Sequence, residues 1–236
     1  MKKIIILNHK SDLTMPEIKE YLLNINDLIR NDLDIIICPS SIYIPYFIGK
    51  YKFKVASQSI SDKELTGELT GNILKSVGVN YTLIGHPERI KYLNETSQTI
   101  NNQIKESLKN NIIPIVFLGE TYYQNEMKKT IEVISKQIRE YFKDIDVKQD
   151  IILVYEPNWE FKGKQIPTIE HITEVIELIK NIILKKYEVN IKVIYGGNVN
   201  KYTLEKLEKI TNIDGYVIGQ LSSNLEELKS IFQIIE

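Results

Sequence analysis

Eight short apolar runs, rich in isoleucine and valine, alternate along this chain with longer stretches of helical spacing. The runs fall at 4–8, 34–38, 53–58, 81–84, 113–118, 151–155, 192–195 and 215–218. A run that is apolar at nearly every position reads as a strand buried on both faces, the pattern of a parallel sheet wrapped by helices. Amphipathic stretches lie between and after the runs, at 16–30, 42–51, 73–77, 97–110, 127–142, 169–185, 204–211 and 225–235. Several start as helices should: Thr14 stands two residues before Pro16, Thr168 precedes Ile169 and Thr203 precedes Leu204, each offering a hydroxyl or a preset φ to a first turn. Eight alternating units in 236 residues predict an α/β chain folded as one closed (β/α)8 barrel domain over 1–236. A doubly wound sheet usually has fewer strands and a Gly-rich first turn. Here Asn8-His9-Lys10 follows the first run, no GxGxxG follows any run, and no Pro/Gly/Ser-rich linker divides the chain, so dinucleotide binding has no support.

Composition narrows the function. Lys+Arg 30 against Asp+Glu 31 leaves a formal charge of −1, and without a long basic run there is no electrostatic footprint for nucleic acid or an anionic membrane. The first apolar run is too short for a signal peptide or a membrane span, so a cytoplasmic chain is expected. With a single cysteine, Cys38, and 3 histidines, an intramolecular disulfide is impossible and a Cys/His zinc cage is effectively excluded. Neither metal nor cofactor is expected. Cys38 itself reads as a buried strand-end thiol.

In a barrel of this kind the working side chains gather where strands end. Asn8 and Lys10 follow the first run, His86 the fourth and Glu156 the sixth, while the last three loops carry Lys162-Gly163-Lys164, Gly196-Gly197-Asn198 and Gly219-Gln220. Small-residue turns let backbone N–H groups approach an anion. A carboxylate, an imidazole and an ammonium beside such a cradle suit proton abstraction next to the carbonyl of a small phosphorylated molecule. The carboxylate takes the carbon-bound proton, the neutral imidazole donates to oxygen, and the ammonium stabilises the enediolate.

The stretches Asn8-His9-Lys10, Ile84-Gly85-His86-Pro87-Glu88-Arg89, Tyr155-Glu156-Pro157-Asn158-Trp159, Tyr195-Gly196-Gly197 and Asp214-Gly215 resemble the triosephosphate isomerase family, in order and spacing along the whole chain. The resemblance implies a TIM barrel and a cofactor-free aldose–ketose isomerase acting on a phosphorylated triose. It makes Glu156 the base, His86 the electrophile, Asn8 and Lys10 the holders of substrate oxygens, and Glu88 the partner of Lys10. A Glu base working with a neutral His is a standard illustration drawn from this very family. The resemblance further implies that Gly163, Asn198, Gly219 and Gln220 line the phosphate site. Trp159 would stand at the root of the family's mobile lid, touching Glu120 when the lid is open. The stretch Thr66-Gly67-Glu68-Leu69-Thr70-Gly71-Asn72 is similar to the family's loop that docks into a second subunit, implying a homodimer in which Thr70 reaches the partner's Asn8 and Lys10 region.

The sequence departs from the family pattern at several points. Pro87 replaces the usual Ser, which a helix's first turn accepts. The lid reads Glu160-Phe161-Lys162-Gly163-Lys164, one residue shorter and with one glycine in place of two. Asn198 replaces Ser, and Gln220 replaces a Gly; a Gln avoids positive φ and needs room, so a looser approach to phosphate is expected. Asn72 replaces an acid that pairs with the arginine at Arg89 of the other subunit, which predicts a weaker interface. His9 stands where an aromatic is usual and reads as packing at the rim, His171 reads as a solvated helix residue, and no function is assigned to 122–129. Two rival readings follow: an isomerase or racemase for another phosphorylated ketose such as a tetrulose phosphate, and a non-catalytic paralogue that binds.

Overall fold

The computed structural model describes residues 2–49, 51–148, 150–159 and 166–235. Its strands are β1 (Lys3–Asn8), β2 (Leu33–Cys38), β3 (Lys54–Ser57), β4 (Tyr81–Ile84), β5 (Ile113–Leu118), β6 (Ile152–Tyr155), β7 (Lys192–Gly196) and β8 (Gly215–Ile218). All are parallel and pair with their sequence neighbours, and β8 returns to β1 through Ile4 opposite Gly215 to close the barrel. This is the (β/α)8 TIM barrel expected from the alternation. Among the described residues no helix is long and apolar enough to cross a membrane.

Strand parity sets what the barrel presents at its mouth. Ile4 and Ile6, Ile36 and Cys38, Ile115 and Phe117, Ile152 and Val154, with Ile194 and Val217, form one buried cluster, while Ile5, Leu7, Ile35, Val116, Leu153 and Tyr195 join a second with the helices. The first set fills the barrel and the second lies between barrel and helices, since successive strand residues face opposite ways. Continuing the inward parity gives Asn8 and Gly196 at the ends of β1 and β7, and Glu156 and Gly219 just past β6 and β8. A burial pattern thus predicts where the polar chemistry emerges.

The helices are α1 (Met15–Leu28), α2 (Ile44–Phe47), α3 (Gly71–Ser76), α4 (Pro87–Leu93), α5 (Ser97–Lys109), α6 (Tyr122–Glu126), α7 (Thr130–Tyr141), α8 (Ile169–Tyr187), α9 (Lys201–Leu207) and α10 (Leu225–Phe232). The periodicity foresaw neither α4 nor α6, and two helix starts are displaced. The stretch at 127–142 begins only at Thr130, because Lys128 takes a left-handed φ of 55° between α6 and α7. The last crossover begins three residues before Leu204: Asn200, and not Thr203, is the N-cap, accepting from the Tyr202 and Thr203 N–H groups at 3.0 and 3.2 Å. Thr168 caps α8 as expected, accepting from the His171 N–H at 3.2 Å.

Candidate active site

Asn8 and Lys10 arrive on the turn after β1. Lys10 has a left-handed backbone, φ 52°, costly for a side chain of its shape. Its carbonyl is held by two donors, the Ser40 hydroxyl and the Gln58 amide, each at 2.7 Å, and its N–H donates to Asn8 Oδ1 at 3.1 Å. The turn is therefore fastened from both sides. Glu88 accepts from the Lys10 ammonium at 2.5 Å.

His86 reaches the mouth through Gly85, whose φ of 73° turns the chain off β4 as L side chains rarely can. His86 is the N-cap of α4, with Pro87 in its first turn, and its Nδ1 accepts from the Glu88 N–H at 3.3 Å. A nitrogen that accepts carries no proton, so in the neutral ring Nε2 bears the hydrogen. Burial, opposed by Glu88 and aided by Lys10 and Arg89, lowers His86 to about 4. At neutral pH the ring is an uncharged donor.

Glu156 leaves β6 with its N–H donating to the Leu118 carbonyl at 2.8 Å. Burial lifts its carboxyl to about 8, with Lys10 opposing and Glu88 adding. The carboxylate lies over Gly196: a Cβ built on that glycine would stand 2.5 Å from Glu156 Oε2. Gly196 is thus glycine because the base occupies the space a methyl would fill.

Asn8, Lys10, His86 and Glu156 line one cavity of about 400 Å³, closed on its other side by Gly197, Asn198, Gly219 and Gln220. Asn198 takes φ 47°, a conformation asparagine tolerates better than most residues. Gln220 opens a 3₁₀ turn, Gln220–Ser223, and takes no positive φ, so its backbone does not ask for a glycine. Gly163 and the rest of the lid stretch lie outside the described residues. A larger groove of about 760 Å³ runs between α1 and α10, but Asp12, Glu17, Glu20, Asp27 and Glu226 line it, a charge that repels phosphate.

Glu120, fully buried, accepts from Trp159 Nε1 at 3.1 Å. His171 corrects a reading. It is not a solvated residue: its side chain is 21% exposed, with Nε2 3.3 Å from Glu120 Oε1 and 3.1 Å from the Tyr155 hydroxyl. The signal was present, because His171 shares a helical stripe with Val175, Leu178 and Ile182, all packed on the core or within it. The stretch after Glu120, to which no role was assigned, places Tyr122 edge-on to Trp159 with centroids 5.7 Å apart. Ser40 and Gln58, the clamps on Lys10, carried no sequence signal.

At the other predicted sites, Thr70 is the N-cap residue of α3 and bridges Ser61, and Asn72 is exposed. Arg89 pairs within its own chain, with Glu95 at 2.7 Å, a carboxylate that also accepts from Gln103 at 2.9 Å. His9 packs as expected, buried edge-on against Tyr21 and near Phe47, with ring centroids 4.6 and 5.7 Å away. Cys38 is buried, and burial pushes its thiol up, away from the reactive thiolate.

The family model described as triosephosphate isomerase matches residues 3–235. Among curated proteins, the triosephosphate isomerase of Mesomycoplasma hyorhinis is 32% identical over 95% of each chain. Those of Alkaliphilus oremlandii and of Clostridium botulinum strain Loch Maree are each 30% identical, over 98% and 97% of both chains.

Proposed function

The chain belongs to the triosephosphate isomerase family, and from that premise we propose that Glu156, His86, Lys10 and Asn8 carry out the interconversion of dihydroxyacetone phosphate and D-glyceraldehyde 3-phosphate. Glu156 removes a proton from the carbon beside the carbonyl and returns it to the adjacent carbon. The Nε2–H of His86 donates to the oxygens of the enediolate, and the Lys10 ammonium balances their charge, with Asn8 orienting the substrate. No cofactor enters these steps. The observation that carries the reading is that Glu156 and His86, which follow β6 and β4, line one cavity with Lys10 from the turn after β1. A neutral His and a carboxylate raised to about 8 are opposite perturbations by one cause, burial, and they suit a donor and a base.

Asn198, Gly219 and Gln220, with Gly163 from the lid stretch, bind the substrate phosphate. A glycolytic and gluconeogenic role in the cytoplasm is in keeping with a lone buried thiol. A homodimer joined through the Thr70 loop is supported by exposed apolar side chains on either side of it, Leu65 at 61% and Ile73 at 50%. Arg89, satisfied by its own Glu95, does not require an acid at Asn72 of a partner, so that substitution costs the interface little.

One observation favours a second substrate: Asn198 and Gln220 put amide side chains on the cavity wall, groups that can hydrogen-bond the additional hydroxyl of a longer ketose phosphate. Steady-state assays with triose and tetrulose phosphates decide between them. The proposal expects kcat/KM at least tenfold higher for the triose. Equal or higher values for the tetrulose would reassign the substrate, and no turnover on either by folded protein would leave a binding role.

A further inference from the structure

Behind β6 a second polar cluster surrounds the segment that carries the base. Glu120 Oε1 accepts from the Tyr155 hydroxyl and from Trp159 Nε1, each at 3.1 Å, and His171 Nε2 stands 3.3 Å from the same oxygen and 3.1 Å from the Tyr155 hydroxyl. The imidazole also lies against the indole, with centroids 5.7 Å apart. Tyr155 is the residue before Glu156 and Trp159 the third after it. The backbone is stitched at the same place: the Glu156 N–H donates to Leu118 and the Asn158 N–H to Glu120, each at 2.8 Å. His171 enters from the capped first turn of α8, a rigid support.

We propose that His171 is a positioning residue for Glu156. A wholly buried carboxylate oxygen is held by the donors aimed at it, and here three groups from β6, its following segment and α8 converge on one. Removing the imidazole takes one of three partners from the Glu120 oxygen and one of two from the Tyr155 hydroxyl, leaving only the Tyr155 and Trp159 donors to hold the carboxylate. That loosens 155–159, and displacement of a base by a fraction of an ångström is felt in turnover more than in binding. The inference rests on the base role proposed for Glu156.

The test uses the full chain with His171→Leu, His171→Asn and His171→Gln, with melting temperature and far-ultraviolet circular dichroism to show folding. The Gln amide reaches the position of Nε2, and the Asn amide stops short. Leu and Asn are expected to lower kcat by about tenfold with KM within twofold, and Gln to restore most of it. Trp159 is the sole tryptophan, so its emission reads the cluster directly: it shifts in the Leu and Asn variants and returns in Gln. Wild-type kcat in Leu and Asn, failure of Gln to exceed them, or a matching rise in KM would overturn the proposal. Should the wild-type protein prove not to isomerise, the base role fails by itself, and unchanged Trp159 emission in the Leu and Asn variants would separately refute the His171 contact.

Discussion

Glu156 is held where its charge is unwelcome, and that has a measurable consequence for stability. Its folded value near 8 lies above the ordinary carboxylate range, so the folded chain binds its proton more tightly than the unfolded chain. The associated stability is present in full below about 4.5 and is lost as pH rises through 8. Glu156→Gln, which mimics the protonated form, is therefore expected to raise the melting temperature by roughly 5 °C at pH 9 and very little at pH 5; an equal change at both would contradict the assignment. The wild-type kcat/KM should fall as pH drops below about 8, because the base must be ionised to act. Gly196→Ala tests the same carboxylate from beneath: the added methyl, 2.5 Å from Oε2, should push the base aside and cost about 10²-fold in kcat, while a kcat near wild type would show that the carboxylate has room to spare. The reactive residues were legible because they follow apolar runs in order. The clamps on the Lys10 carbonyl were not, since Ser40 and Gln58 act through a backbone oxygen that leaves no mark in spacing.

At the level of elements, the strands were readable because burial on both faces makes them continuous apolar runs. Helix boundaries were less so: α4 is a short, surface-lying helix with no buried residue, and nothing in its periodicity sets it apart from a loop. The start of α9 was missed because Thr203 and Asn200 are both plausible caps, and the choice depends on Asn200 accepting from two N–H groups at once. Asn200 also donates to the Asn198 carbonyl at 3.0 Å, coupling helix capping to the loop proposed for phosphate. Asn200→Ala is accordingly expected to lower stability by about 1 kcal/mol, read by urea denaturation, and to raise KM severalfold with kcat little changed. A stability loss with an unaltered KM would separate the cap from the phosphate loop.

The whole molecule carries two buried neutral histidines, His9 and His86, each lowered to about 4 from a value near 6.5 in the unfolded chain. Their neutral form favours folding above about 6.5, and that contribution drains away as pH falls toward 4. Replacing His9 by the aromatic usual at its position, His9→Phe, should shrink the loss of stability between pH 7 and pH 4.5 by roughly 2 kcal/mol, measured from urea midpoints; an unchanged loss would mean that His9 stays solvated in the folded chain. The proposed dimer predicts sedimentation at twice the chain mass at micromolar concentration, and a fully active monomer there would remove Thr70 from the site. The most direct test of the central claim, that Glu156 moves the proton, is isomerisation of dihydroxyacetone phosphate in D₂O. The wild-type protein should place deuterium on the carbon beside the new aldehyde, and Glu156→Gln should lose about 10³-fold in both turnover and label. Wild-type turnover and labelling by the folded Gln variant would contradict the account.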